Sequence, residues 1–200
     1  SPHIQLALSD VLPILENLGV RVISEIPFMI KPADYGDVVW IHDFELELPF
    51  ELKDMAHFQE SFAQTFLRIY GKNLENDPFN RLVTYAGLSW RQVTIMRAYA
   101  QYLRQLNLPF SKAYIASTLI KNTTLTAFLV SFFEERFDPQ NGGEEHCQDL
   151  IKEIQQNLSE VAHPDEDRIL RAYLNAMQAS LRTNFYQRTA EGKPKSYLSI

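Results

Sequence analysis

The residues whose types and spacing come nearest to chemistry are Arg91, Arg97 and Arg104, with Trp90, Tyr99 and Tyr102 interleaved. An arginine fork can hold a carboxylate or phosphate through paired N–H groups, and an aromatic face beside it adds a stacking surface. These four, Arg91, Arg97, Arg104 and Trp90, are therefore the candidate anion or interface contacts. A second reading makes the aromatics core and pairs the arginines with acidic partners elsewhere. The stretch is also unusual in charge. From Pro78 to Phe133 there is no Asp or Glu, while Arg81, Arg91, Arg97, Arg104, Lys112 and Lys121 stand within it. With those six cations set aside, the net charge of −6 leaves −12 on the rest of the chain. Such asymmetry implies that the middle segment packs against an acidic surface, in this chain or a neighbour.

Other chemistries fall away on the residues. None of the seven glycines forms GxGxxG or GxxxxGK[ST], so no phosphate-cradling loop is expected. Glu144, Glu145, His146 and Cys147 are ligand types, but adjacent helical residues diverge and no second CxxC or HxxxH completes a metal site. His42-Asp43 falls on a strand, where neighbours face opposite sides; the expectation is an exposed pair beside a core strand. There is no GxSxG, and Cys147 has no base positioned beside it by sequence. The expectation is no catalytic, cofactor-binding or metal-ligating residue in this chain.

The elements that must position the arginines read in two styles. Asp10 is a plausible N-cap with Pro13 in the first turn; Val11, Ile14, Leu15 and Leu18 then form a stripe that stops at Gly19. Arg21 to Ile30 is β-branched and aromatic and reads as a strand. Pro32 and Gly36 mark a loop. Val38 to Leu48 is a second strand, with Phe44, Leu46 and Leu48 alternating with Glu45 and Glu47. Residues 51–185 then read as helix after helix. Met55, Phe58, Phe62, Phe66 and Ile69 recur at helical steps to a stop at Gly71. Asp77-Pro78 is a cap followed by proline at the first helical position. Ser89 and Gln92 form a capping box opening a helix to about Leu106. On it Ile95, Tyr99, Tyr102, Leu103 and Leu106 share a face, with Met96 at its edge, and Arg97 and Arg104 fall on another side near Trp90. Ser111 and Asn122 cap the next two helices, the second carrying Leu125, Phe128, Leu129, Phe132 and Phe133. Residues 138–143 are a loop. Cys147, Leu150, Ile151, Ile154 and Leu158 mark another helix, broken by His163-Pro164. Asp165 to Leu181 is the last, and Ser196 to Ile200 reads as the start of a strand.

Two hundred residues, 46% of them hydrophobic and 12% aromatic, suffice for a real core without staples. The single cysteine argues for a reducing, cytoplasmic setting. No apolar run reaches the ~18–20 residues of a membrane helix. A pI near 5.4 argues against a nucleic-acid binder. The start at Ser1 fits a piece of something longer. The fold class expected is α+β, predominantly α-helical: an αββ part at 1–50, a multi-helix bundle at 51–185, and a linker with a first strand at 186–200.

Several words of the sequence are specific. Residues 76–83 (NDPFNRLV), 86–93 (AGLSWRQV) and 96–105 (MRAYAQYLRQ) resemble, in this order, landmarks of the large bacterial NAD-specific glutamate dehydrogenases. FEERFDP at 133–139 and RTNFYQ at 182–187 are similar to the next two, and LPILENLG at 12–19 and VWIHDF at 39–44 to the segment ahead of them. The departures are small: Gln92 stands where the family commonly has Glu, which preserves the capping box, and Met96 where Leu is usual.

The resemblance implies a location within a very long polypeptide. The αββ part and the helix after it would belong to an ACT-like regulatory module, and the helices would join such modules to a glutamate- and NAD-binding core beyond Ile200. The parent would convert L-glutamate to 2-oxoglutarate and ammonia with NAD as hydride acceptor. This piece would be accessory. Its expected partners are the rest of the same polypeptide, with other ACT-like modules and the catalytic core, and further copies in a homo-oligomer, with no nucleic acid or membrane. The alternatives are an amino-acid-sensing ACT-like binding module and a stand-alone helical interaction domain.

Overall fold

The structure, a computed structural model, describes residues 7–31, 38–52, 54–140 and 143–200. Pro32 and Gly36, marked above as a loop, lie outside the described residues. The architecture is α+β and mainly helical, and it divides into two compact units, Ser1–Gly87 and Leu88–Ile200. The division falls at Gly87, well past the boundary at 50/51 expected from the change in sequence style. The reason is burial: the helix following the hairpin packs on the elements before it.

In the first unit, α1 spans Leu8–Asn17. It starts two residues before the expected cap: Ala7 takes the N-cap position with no side-chain bond, and Pro13 sits inside the helix. Gly19 follows with φ +87°, and a Cβ there would meet the Tyr85 ring at 2.7 Å, so this close turn needs glycine. Strands β1 (Arg21–Ile30) and β2 (Val39–Glu47) pair antiparallel, as the alternation predicts. The register runs unbroken from Ile30 opposite Val39, through Phe28 opposite Ile41, to Ser24 opposite Glu45, and shifts at a bulge between Val22 and Ser24. Helix α2 (Met55–Tyr70) is capped by the Asp54 carboxylate, which accepts from His57 N, and ends at Gly71. Val11, Leu15 and Val20 form a small core, packed by Val22, Phe44, Leu48, Phe62 and Phe66. Leu46, expected on that face, is more exposed than Phe44 and Leu48. Asp77 caps a short 3-10 turn at Pro78–Asn80 that leads into α3 (Arg81–Tyr85).

The second unit is helical. It contains α4 (Trp90–Gln105), α5 (Lys112–Lys121), α6 (Thr123–Phe137), α7 (Glu144–Ser159) and α8 (Pro164–Ala179). α4 lies against α8, α5 and α6, and α7 packs chiefly on α6. Its core holds Ile95, Met96, Tyr99, Ile115, Leu119, Leu129, Phe132, Phe133, Ile154 and Tyr173. The buried face of α4 is rotated from the expected one: Val93, Met96, Ala100 and Arg97 are inside, while Tyr102 and Leu106 are exposed. Asn122 occupies the cap position of α6 but turns its amide to Thr118 O and Glu166. α8 ends at Ala179. Ser196–Ile200 is not a strand; its backbone is held by side chains, with Asn184 Oδ1 accepting from Ser199 N and Thr183 Oγ1 donating to Ser199 O. No single helix among the described residues is long and apolar enough to cross a membrane; α5 and α6 qualify only as a pair bent by 100°.

Candidate functional site

The N-terminus of α4 holds two of the sequence-predicted residues, Trp90 and Arg91, and their neighbours. Gln92 Oε1 accepts from Ser89 N at 2.9 Å while Ser89 Oγ accepts from Gln92 N, closing the capping box. The amide nitrogen of the same Gln92 donates to both carboxylate oxygens of Glu134 on α6, at 3.1 and 3.0 Å. One side chain thus satisfies the helix end and a half-buried acid together. A glutamate in this position would keep the cap but face Glu134 carboxylate to carboxylate. Burial raises the Glu134 carboxyl above its ordinary value, and the Gln92 bond opposes that rise.

Arg91, one residue earlier, donates to the carbonyl of Phe185 and lies 4.5 Å from the centre of the Phe185 ring and 5.8 Å from that of Trp90. Phe185 stands edge-on to Phe133 at 5.5 Å. The Tyr186 hydroxyl donates to Glu134 O at 2.9 Å; burial, then the charges of Glu134, Asp138 and Glu135, push its phenol up to about 12. Two further latches tie α8 down. Arg136 donates to the Gln178 and Ser180 carbonyls at its C-terminal end, and the buried Tyr173 hydroxyl donates to Met96 O at 2.9 Å. The stretch 178–187 is therefore fastened to α4 and α6 by an arginine at each end and an aromatic cluster between.

The four candidate contacts do not converge on one anion. Trp90 and Arg91 sit together at the start of α4. Arg97 is buried two turns on. Arg104 is exposed in the last turn, about 20 Å from Arg91 along the axis at 1.5 Å per residue. Of the other cations in the acid-free segment, Lys121 meets Glu166 at 2.7 Å.

The structure also places what sequence reasoning missed. His42 is not exposed: its side chain is 8% accessible and its Nδ1 lies 2.6 Å from Glu25 Oε1 across the hairpin, while Asp43 faces out. His42 shares the inner face of β2 with Phe44, and its partner Glu25 lies 17 residues away in sequence. Among the described residues no group of three or more His, Cys, Asp or Glu could hold a metal. Burial, then Glu135, push the Cys147 thiol up, away from the thiolate a nucleophile needs. Each unit carries an open cleft. One of about 670 Å³ in the first unit is walled by Glu16, Arg21, Glu25, Glu47, Arg81 and Tyr85. One of about 620 Å³ in the second is walled by Tyr102, Ser180, Arg182, Asn184, Gln187 and Ile200.

Fold and site together define a mainly helical α+β segment whose polar side chains are spent on latching helices and a C-terminal strap. Three family descriptions match it in series: the glutamate dehydrogenase ACT3 domain over residues 1–59, the glutamate dehydrogenase helical motif 3 over 74–139, and the bacterial NAD-glutamate dehydrogenase catalytic domain over 153–200. NAD-specific glutamate dehydrogenases from Halomonas elongata and Pseudomonas aeruginosa are 44% and 45% identical over 96% and 98% of this chain. The Mycobacterium tuberculosis protein of that name is 36% identical over 90% of it. The chain belongs to the bacterial NAD-specific glutamate dehydrogenase family. It spans about 12% of the length of these relatives. The catalytic-domain match begins at residue 153, within α7, ahead of Ile200, beyond which the resemblance implied the glutamate- and NAD-binding core.

Proposed function

We propose that this chain is an accessory region, structural and regulatory, of an NAD-dependent glutamate dehydrogenase whose whole polypeptide oxidises L-glutamate to 2-oxoglutarate and ammonia in the cytoplasm. The observation that carries the reading is the unbroken order of regulatory-module, helical-motif and catalytic-domain matches along a chain one-eighth the length of its relatives. The latches supply the mechanics: Arg91, Arg136 and Tyr186 join the helical-motif stretch to residues that match the catalytic domain. NAD does not fit the residues described. A dinucleotide pyrophosphate sits on first-turn amides after a glycine-rich strand-to-helix turn. Here no strand leads through such a turn into a helix, and amides at the starts of α2, α4 and α5 are taken by Asp54, Ser89 and Ser111. We assign NAD to the rest of the polypeptide, along with the homo-oligomeric contacts expected of the parent.

The test is glutamate-dependent NAD reduction. The whole polypeptide should show it, the 200-residue chain should not, and Arg91→Ala in the whole polypeptide should lower kcat while leaving the chain folded. Turnover by the isolated chain, or none by the whole polypeptide, would sink the reading. The mixed charges around the cleft of the first unit favour a second role, sensing of a zwitterionic amino acid. Calorimetry with glutamate and aspartate decides it, since a scaffold gives no heat at millimolar ligand.

A further inference from the structure

The outward face of the β1–β2 hairpin is uncovered and unevenly made. From the register, Ile26, Phe28, Ile30, Val39 and Ile41 share that face toward the hairpin tip, and each is roughly half exposed, with Ile26 at 53%, Phe28 at 48% and Ile41 at 49%. Phe28 opposes Ile41 and Ile30 opposes Val39, so the patch is contiguous. The base of the same face carries Asp43, Glu45 and Glu47. Glu47 meets Arg21 at 3.0 Å and Glu45 accepts from Ser24, which leaves Asp43 as the acid bordering the apolar patch. Five half-exposed side chains, four of them aliphatic, present apolar surface on the order of a few hundred Å². That is the size of the largest patch on a typical monomer, where it is often functional. It is also the size of the apolar centre of a standard interface of ~800 Å² per partner, whose rim is polar. A strand added along β1 would leave this face bare and would meet Pro27 and the bulge, both of which disrupt strand pairing.

We infer that this face docks a second part of the same long polypeptide, outside these 200 residues, through a surface that is apolar at its centre and bears Lys or Arg where it meets Asp43. This rests on the proposed function, because it takes the remaining seven-eighths of the relatives' length as the source of the occupant. Charge complementarity fixes the orientation: apolar residues over Ile26, Phe28 and Ile41, cations over the acidic base.

The experiment places a reporter on the face. Ile41→Cys, and separately Val39→Cys, are introduced with Cys147→Ser, and maleimide alkylation of the reporter peptide is timed by mass spectrometry. It is run in the 200-residue chain and in the whole polypeptide. Alkylation should be at least tenfold slower in the whole polypeptide, and Asp43→Lys there should restore most of the lost rate. Equal rates in the two would overturn the proposal. So would slowing in the 200-residue chain that grows with its concentration, which assigns the face to a second copy. Glutamate-dependent NAD reduction is measured on the same samples. Its absence with a protected reporter removes the dehydrogenase reading alone; its presence with an unprotected reporter removes this one alone.

Discussion

In the unit spanning 88–200, Tyr99, Tyr173, Phe132 and Phe133 are wholly buried, with the Tyr99 ring edge-on to Phe133 and tilted against Tyr173. In the unit spanning 1–87, the hairpin leaves Ile23, Ile26, Phe28, Met29, Ile30, Val39 and Ile41 exposed and rests on a small core of Val11, Leu15 and Val20 flanked by partly buried Phe62 and Phe66. Both stretches are rich in β-branched and aromatic residues, so composition does not separate them. Topology does. Five helices in contact with several neighbours each can close around their apolar faces, whereas a two-stranded sheet has two faces and only α1 and α2 to cover one of them. The helical unit encloses its large aromatic side chains, and the hairpin leaves the outer face of its sheet in solvent.

The largest test of that contrast is Phe133→Ala. Phe133 touches the rings of Tyr99, Phe137 and Phe185 with no exposed area, so its loss leaves a cavity and frees the strap at 185. Truncation of a buried Phe costs about 3–5 kcal/mol. Chemical denaturation should show the helical unit losing that much, with a separate transition for the first unit little changed. A loss below about 1 kcal/mol would mean that the core relaxes as freely as a surface.

A smaller effect tests the polar side of the same unit. Gln92→Glu keeps the capping box but sets two carboxylates at hydrogen-bond distance, where Glu134 is already raised by burial. The pair must then share a proton in the folded state and bind it more tightly than the unfolded chain does. The variant should match the parent near pH 4, and lose about 1–2 kcal/mol relative to it as pH rises to 7. Thermal melts across that range read the difference directly. Equal melts at pH 7 would show that Gln92 serves the cap alone.

Much of this was legible in the sequence because it is local. The Ser89–Gln92 box, the Asp77-Pro78 start, the hairpin and the stop at Gly71 depend on residues a few positions apart, and the structure has them. What was not legible is set by partners far along the chain. The face that α4 buries depends on where α8 and α6 lie, so Arg97 went inside and Tyr102 outside, against the helical stripe drawn from hydrophobicity alone. The second bond of Gln92 needs Glu134, and the fork of Arg91 needs Phe185, 94 residues away. His42 was read as exposed because its partner Glu25 lies across the hairpin, 17 residues away, although the alternation of Phe44, Leu46 and Leu48 already puts His42 on the inner face. The strand expected at 196–200 has β-compatible residues but no strand beside it, and side chains of Thr183 and Asn184 take its backbone groups instead.

The smallest expected change falls on the hairpin face. Ile26→Thr keeps β-branching, and so the strand preference, while removing apolar surface that is already half in water. In the 200-residue chain it should shift stability by less than about 0.5 kcal/mol, as surface changes do. It should also lower any concentration-dependent scattering, because the patch it interrupts is the stretch most able to stick to its like. A loss of about 2 kcal/mol would be the more instructive result. A residue half exposed in one chain carries a core-like cost only if something covers it, so the face would then be filled in the chain as isolated, by a second copy, and the contrast between a buried core and a bare face would vanish.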